Sequence, residues 1–183
     1  MARRTRQSQQ HTRETGSARA MRRFLVMALV LLAVFFCAFT RVPFFDRHVV
    51  APYTLYLARS MTLVLRVVGT SPVEHGASVS TASFSATIVP ACAGIEIMAV
   101  LVAVILAFPA PFRYKWTGVA WGLAAVHVVN VGRLTVLFLI GIHFRSTFDQ
   151  AHFYYAQGLL LLATVGVWAL WVSSLPHHGL ETR

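Results

Sequence analysis

A thiol, a guanidinium and an imidazole stand at three separated places in this chain: Cys92, Arg133 and His152. Together they supply what a thiol acyl transfer needs: a nucleophile, a cation for a developing oxyanion, and a general acid and base. Cys92 lies in Pro90-Ala91-Cys92-Ala93-Gly94-Ile95-Glu96. Proline favours the first turn of a helix. The spacing therefore predicts Cys92 in the first turn of a helix, where the positive end of the dipole favours a thiolate. The plainer alternative is a small packing residue, as buried cysteine often is. Cys37, inside Phe35-Phe36-Cys37-Ala38-Phe39, has no comparable setting. It is expected to be structural, with no disulfide to Cys92.

Arg133 stands in Asn130-Val131-Gly132-Arg133, within an apolar run. Arginine inside a membrane span is rare and is usually paired or functional. Counted from Trp116 at about 1.5 Å per residue, Arg133 falls roughly 25 Å along a helix, against a hydrocarbon core of about 30 Å. That puts it near the far boundary, at the depth expected for Cys92. Asn130 is one turn deeper on the same face. His127 is deeper again and is expected to be an ordinary bundle histidine. Glu96, one helical turn below Cys92, is costly in lipid unless paired, so a salt bridge to Arg133 is expected. Asp149, three residues before His152, is expected to cap the last helix or to orient the imidazole.

These side chains need elements to hold them, and the composition says what kind. Of 183 residues, 57% are hydrophobic and 12% charged. Soluble domains are roughly 45–50% apolar and about 25% charged, and a soluble globule this size could not hide so much apolar surface. The fold class expected is an all-α polytopic membrane protein. It has four spanning helices, near residues 24–40, 90–108, 116–142 and 153–175. An amphipathic helix over 49–68, carrying Arg59 and Arg66 on one face, is expected to lie on the membrane, with a fifth span as the alternative. Residues 71–89, rich in Ser, Thr and β-branched residues, are expected to form one or two short strands outside the bilayer.

The formal charge of +10 would suggest nucleic acid in a soluble protein. Its location excludes that partner. Arg3, Arg4, Arg6, Arg13, Arg19, Arg22 and Arg23 precede the first apolar run without interleaved aromatics. Residues 1–23 therefore read as a disordered basic cytoplasmic tail, residues 24–175 as a single transmembrane domain, and 176–183 as a second cytoplasmic tail. The loop 109–115, with Arg113 and Lys115, lies inside, which fits the positive-inside rule. The Cys92, Arg133 and His152 ends then all face the exterior. No residue pattern asks for a cofactor or a metal ion.

At these residues the chain resembles the exosortase/archaeosortase family of membrane transpeptidases. The resemblance rests on Ala91-Cys92-Ala93-Gly94-Ile95, on Asn130-Val131-Gly132-Arg133, on Phe148-Asp149-Gln150-Ala151-His152 and on Leu106-Ala107-Phe108-Pro109-Ala110-Pro111. It covers about residues 50–173, and with Glu96 and the short length it looks closest to the exosortase H branch. It implies a bacterial inner-membrane cysteine transpeptidase or protease with its site facing the periplasm. Its partners would be membrane-anchored proteins bearing a C-terminal sorting signal. The roles implied are Cys92 as nucleophile through a thioester, His152 as general acid and base, and Arg133 as substrate or oxyanion positioner. The accessory helices of longer members, with about eight spans, have no counterpart here. The alternative is a non-enzymatic membrane scaffold, in which Glu96 and Arg133 form a structural pair.

Overall fold

A computed structural model of the chain describes residues 2–150, 152 and 157–176, with the backbone alone for 2–17, 40 and 149. It is mostly helical, with one small sheet. Helix α1 spans Ala2–Arg41. Two described segments are long and apolar enough to cross a membrane: Ala18–Phe39 within α1, and Phe112–His143, which is α4. Between them lie α2, Ala51–Val67, and α3, Ile95–Ala107. The last helix, α5, is Gln157–Ser173. Helices α3 and α5 are apolar but shorter than the two candidate spans.

The basic stretch before Phe24 continues the first helix to Ala2. No proline interrupts it, its residues are mostly good helix formers, and extending an existing helix avoids the cost of nucleation.

Proline and glycine shape the end of the bundle where α3 meets α4. Pro109 and Pro111 break the chain between α3 and α4. Tyr114 O accepts a hydrogen bond from Trp171 Nε1 at 3.1 Å, and Leu106 O accepts from Lys115 Nζ at 2.6 Å. Phe24 meets Phe108 edge-on, which docks α1 against the end of α3. Gly118 lies directly under the Trp171 indole, and Gly122 under Leu101, so these glycines let α5 and α3 close onto α4. Small residues serve helix contact in this way where water supplies no hydrophobic drive between spans.

Helix α2 is amphipathic as expected. Thr54, Leu57, Ala58, Met61, Thr62 and Leu65 are buried at three- and four-residue spacing, while Arg59 and Arg66 are exposed. Its placement is a correction. Tyr53 and Tyr56 at its start meet His127. Val68, Gly69 and Thr70 after its end share a cavity with Val136, Leu139, Ile140 and His143. The helix therefore runs along the second half of α4, in the same direction, instead of lying across the bundle on a surface. The reason is packing: Leu57, Ala58, Met61 and Leu65 form one cluster with Val131, Leu134 and Phe138 of α4.

Three strands, not one or two, follow: β1 Val73–His75, β2 Ser78–Ser80 and β3 Ser85–Thr87. They form an antiparallel sheet in the order β1-β2-β3. Gly76, at φ +63°, turns the chain between the first two. The sheet buries Val79, and Ile88 just beyond it, against the α2–α4 cluster. It thus stands beside the second half of α4, next to the segment that carries Cys92.

Candidate active site

Cys92 is presented by a single 3-10 turn, Pro90–Cys92. Cys92 N–H donates to Val89 O at 2.8 Å, and Ala93 N–H to Pro90 O at 3.0 Å. Gly94 follows at φ +74°, and α3 begins only at Ile95. A left-handed residue breaks the run of helical dihedrals, and glycine alone takes that conformation without strain. Cys92 is therefore not in the first turn of the second apolar helix, as the sequence predicts. It sits in a separate turn, half-buried and not disulfide-bonded.

That break also overturns the Glu96–Arg133 pair. Glu96 lies beneath Cys92 only if one helix runs unbroken through both. With Gly94 between them the register is lost, and Glu96 is exposed. Among the described residues the ion pair is Arg59 with Glu74, at 3.5 Å on the surface.

Arg133 instead grips backbone. Its Nη2 donates to Cys92 O at 2.6 Å and its Nη1 to Gln157 Oε1 at 3.1 Å. Asn130 Nδ2 donates to Ala93 O at 2.7 Å. Residues three apart on a helix share a face, so Asn130 and Arg133 hold two successive carbonyls of the cysteine turn. Both side chains are buried, Asn130 at 0% exposure and Arg133 at 6%. Two of their atoms, Asn130 Oδ1 and Arg133 Nε, have no hydrogen-bond partner. Buried polar atoms seldom stay unsatisfied, so each has capacity for one more polar partner.

His152 comes to the same turn. Its Nε2 is 3.7 Å from Cys92 Sγ, within hydrogen-bond reach for sulfur. Phe148, one helical turn earlier, lies nearly parallel to the imidazole, with ring centroids 5.8 Å apart. The Asp149 side chain lies outside the described residues. So Cys92, Arg133, Asn130 and His152 converge, and Glu96 does not join them.

His127 belongs to a neighbouring group. Its Nδ1 is 3.1 Å from the Tyr53 hydroxyl, and Tyr56 stacks on its ring at 5.0 Å. Two site neighbours escape the sequence reading. Gln157 had a signal, as a polar residue opening an otherwise apolar helix. Tyr53 had none, because only the alignment of α2 with α4 brings it near. Cys37 is exposed on α1 and takes no part. Among the described residues no three His, Cys, Asp or Glu side chains converge as metal ligands.

A thiol 3.7 Å from an imidazole, backed by a guanidinium, can form and use a thiolate nucleophile. Comparison with known proteins bears on this geometry. A family model described as transmembrane exosortase matches residues 16–171, well over half of the chain. No curated protein and no solved structure matches it.

Proposed function

Because this chain belongs to the transmembrane exosortase family, whose members are in general cysteine transpeptidases that process sorting signals, we propose that it cleaves the C-terminal sorting signal of exported, membrane-anchored proteins at Cys92. The observation that carries the proposal is the 3.7 Å approach of His152 Nε2 to Cys92 Sγ.

In this mechanism His152 takes the thiol proton, and the thiolate attacks the scissile carbonyl of the substrate. The carbonyl oxygen of the tetrahedral intermediate gains the negative charge. Arg133 Nε, the buried donor on that guanidinium without a partner, is the group available to meet it. Collapse breaks the C–N bond, and the His152 imidazolium returns its proton to the departing amine. The thioester left on Cys92 then passes to an acceptor nucleophile, whose proton His152 removes. Arg133 and Asn130 also act before chemistry, since their hold on Cys92 O and Ala93 O fixes where the sulfur stands.

The site would face the periplasm of a bacterial inner membrane, with Arg113 and Lys115 at the cytoplasmic end. The scaffold alternative drew its support from a Glu96–Arg133 pair, and Arg133 has other partners. The test is processing in cells. A protein from the same genome with a short motif, an apolar helix and a basic C-terminus is co-expressed with wild-type enzyme or with Cys92→Ala. Wild type should shorten it and Cys92→Ala should leave it full length. Normal processing by inserted Cys92→Ala would refute the proposal.

A further inference from the structure

One residue of the sheet's second turn reaches toward the imidazole. The turn between β2 and β3 is closed by Thr81. Its N–H donates to Phe84 O at 2.8 Å, and its hydroxyl accepts from Phe84 N–H at 3.3 Å. Phe84 is thereby held in one place and half-buried.

The Phe84 ring meets Phe138 of α4 edge-on at 5.2 Å and Phe148 at 5.3 Å. Gly141 lies directly beneath it, and a Cβ at that position would overlap the ring. Phe148 in turn stacks on His152, with 14° between the planes. The contacts form a column, Phe138–Phe84–Phe148–His152, that ends at the group 3.7 Å from Cys92 Sγ. A histidine ring turns easily about its terminal torsion, whose energy well is broad. An aromatic plane packed against it restricts that rotation.

We propose that Phe84 and Phe148 are positioning residues for His152, so that the turn of the extramembrane sheet sets the geometry of the thiol–imidazole pair. This rests on the proposed pairing of Cys92 with His152. Neither phenylalanine touches the sulfur; both act through the plane of the imidazole. Gly141 is required because any larger residue would push Phe84 out of the column.

The test uses the full chain purified in lipid nanodiscs, with Cys37→Ser so that Cys92 is the single thiol. The readout is the rate of Cys92 alkylation by iodoacetamide against pH, which reports the imidazole's influence on the thiolate. Circular dichroism reports folding separately. His152→Ala defines the profile without the pair. Phe84→Ala, Phe148→Leu and Gly141→Ala should move the wild-type profile toward that one, by about threefold to tenfold in rate near neutral pH, the factor one aromatic contact supports. Phe148→Tyr keeps the stacking plane and should restore the wild-type profile. Phe84→Leu, which keeps most of the volume, should give an intermediate shift and serves if Phe84→Ala does not fold. Folded Phe84→Leu and Phe148→Leu proteins with wild-type profiles would overturn the inference while leaving the Cys92–His152 pair intact. A His152→Ala profile identical to wild type would overturn the pair itself, and the positioning role with it.

Discussion

The Arg133 guanidinium donates to the backbone carbonyl of Cys92 at 2.6 Å. This one bond ties the middle of α4 to the turn that carries the thiol. It also explains how an arginine can sit at 6% exposure without an acidic partner. Its charge is met by the Cys92 carbonyl and by the amide oxygen of Gln157, and hydrogen bonds to a charged donor are stronger than neutral ones.

Arg133→Lys should therefore fail to substitute. Lysine keeps the charge but not the planar fork that reaches two acceptors at once. Processing of a co-expressed substrate should fall by roughly the factor seen for Arg133→Ala, and both variants should lose about 1–3 kcal/mol of stability, the cost of a buried acceptor left unsatisfied. Thermal unfolding in detergent and substrate gel shifts measure the two effects.

Asn130→Asp should be worse than Asn130→Ala. The aspartate would set a carboxylate against Ala93 O, where Nδ2 now donates at 2.7 Å at a fully buried site. Alanine should cost about 1–3 kcal/mol, and aspartate more, because a charge is then buried without a partner. Unfolding midpoints of the two variants, side by side, decide it.

Gly94→Ala should destabilise by about 1–2 kcal/mol from its left-handed backbone alone. The new Cβ would also stand 3.2 Å from both Asn130 and Leu160. Gly158→Ala is the control: that site has open space and lies in a helix, where alanine is favoured by up to about 1 kcal/mol. Opposite shifts in melting temperature are expected.

Glu96→Gln should leave stability within about 0.5 kcal/mol of wild type, the usual range for an exposed substitution. A large loss, measured by thermal unfolding, would restore the Glu96–Arg133 pairing that the sequence suggests.

That Cys92 and Arg133 stand at one level was legible in the sequence, because the rise of a helix is constant and α4 is unbroken from Phe112 to His143. The partners of Arg133 were not. They depend on the conformation of Gly94, and a glycine in sequence announces freedom without saying how it is used. The same break moved Glu96 out of the site. The sheet was only partly legible, since strands of three residues are too short to show alternation. The direction of α2 was hidden for a different reason. Its apolar stripe fits a lipid surface and the flank of α4 equally well, and only contacts such as Tyr53 with His127 distinguish the two. Phe84 carries no signal in sequence because aromatic residues are common in a membrane chain, and Phe148 stands out only as the start of the run that ends at His152.

The proposed reaction passes through a thioester on Cys92, which mass spectrometry of the enzyme captured during turnover with a co-expressed substrate would detect. The expected result is a peptide containing Cys92 that carries the substrate's new C-terminal segment, is released by hydroxylamine, and is absent in Cys92→Ala. Cleaved substrate with no adduct on Cys92, and undiminished cleavage by Cys92→Ala, would contradict it.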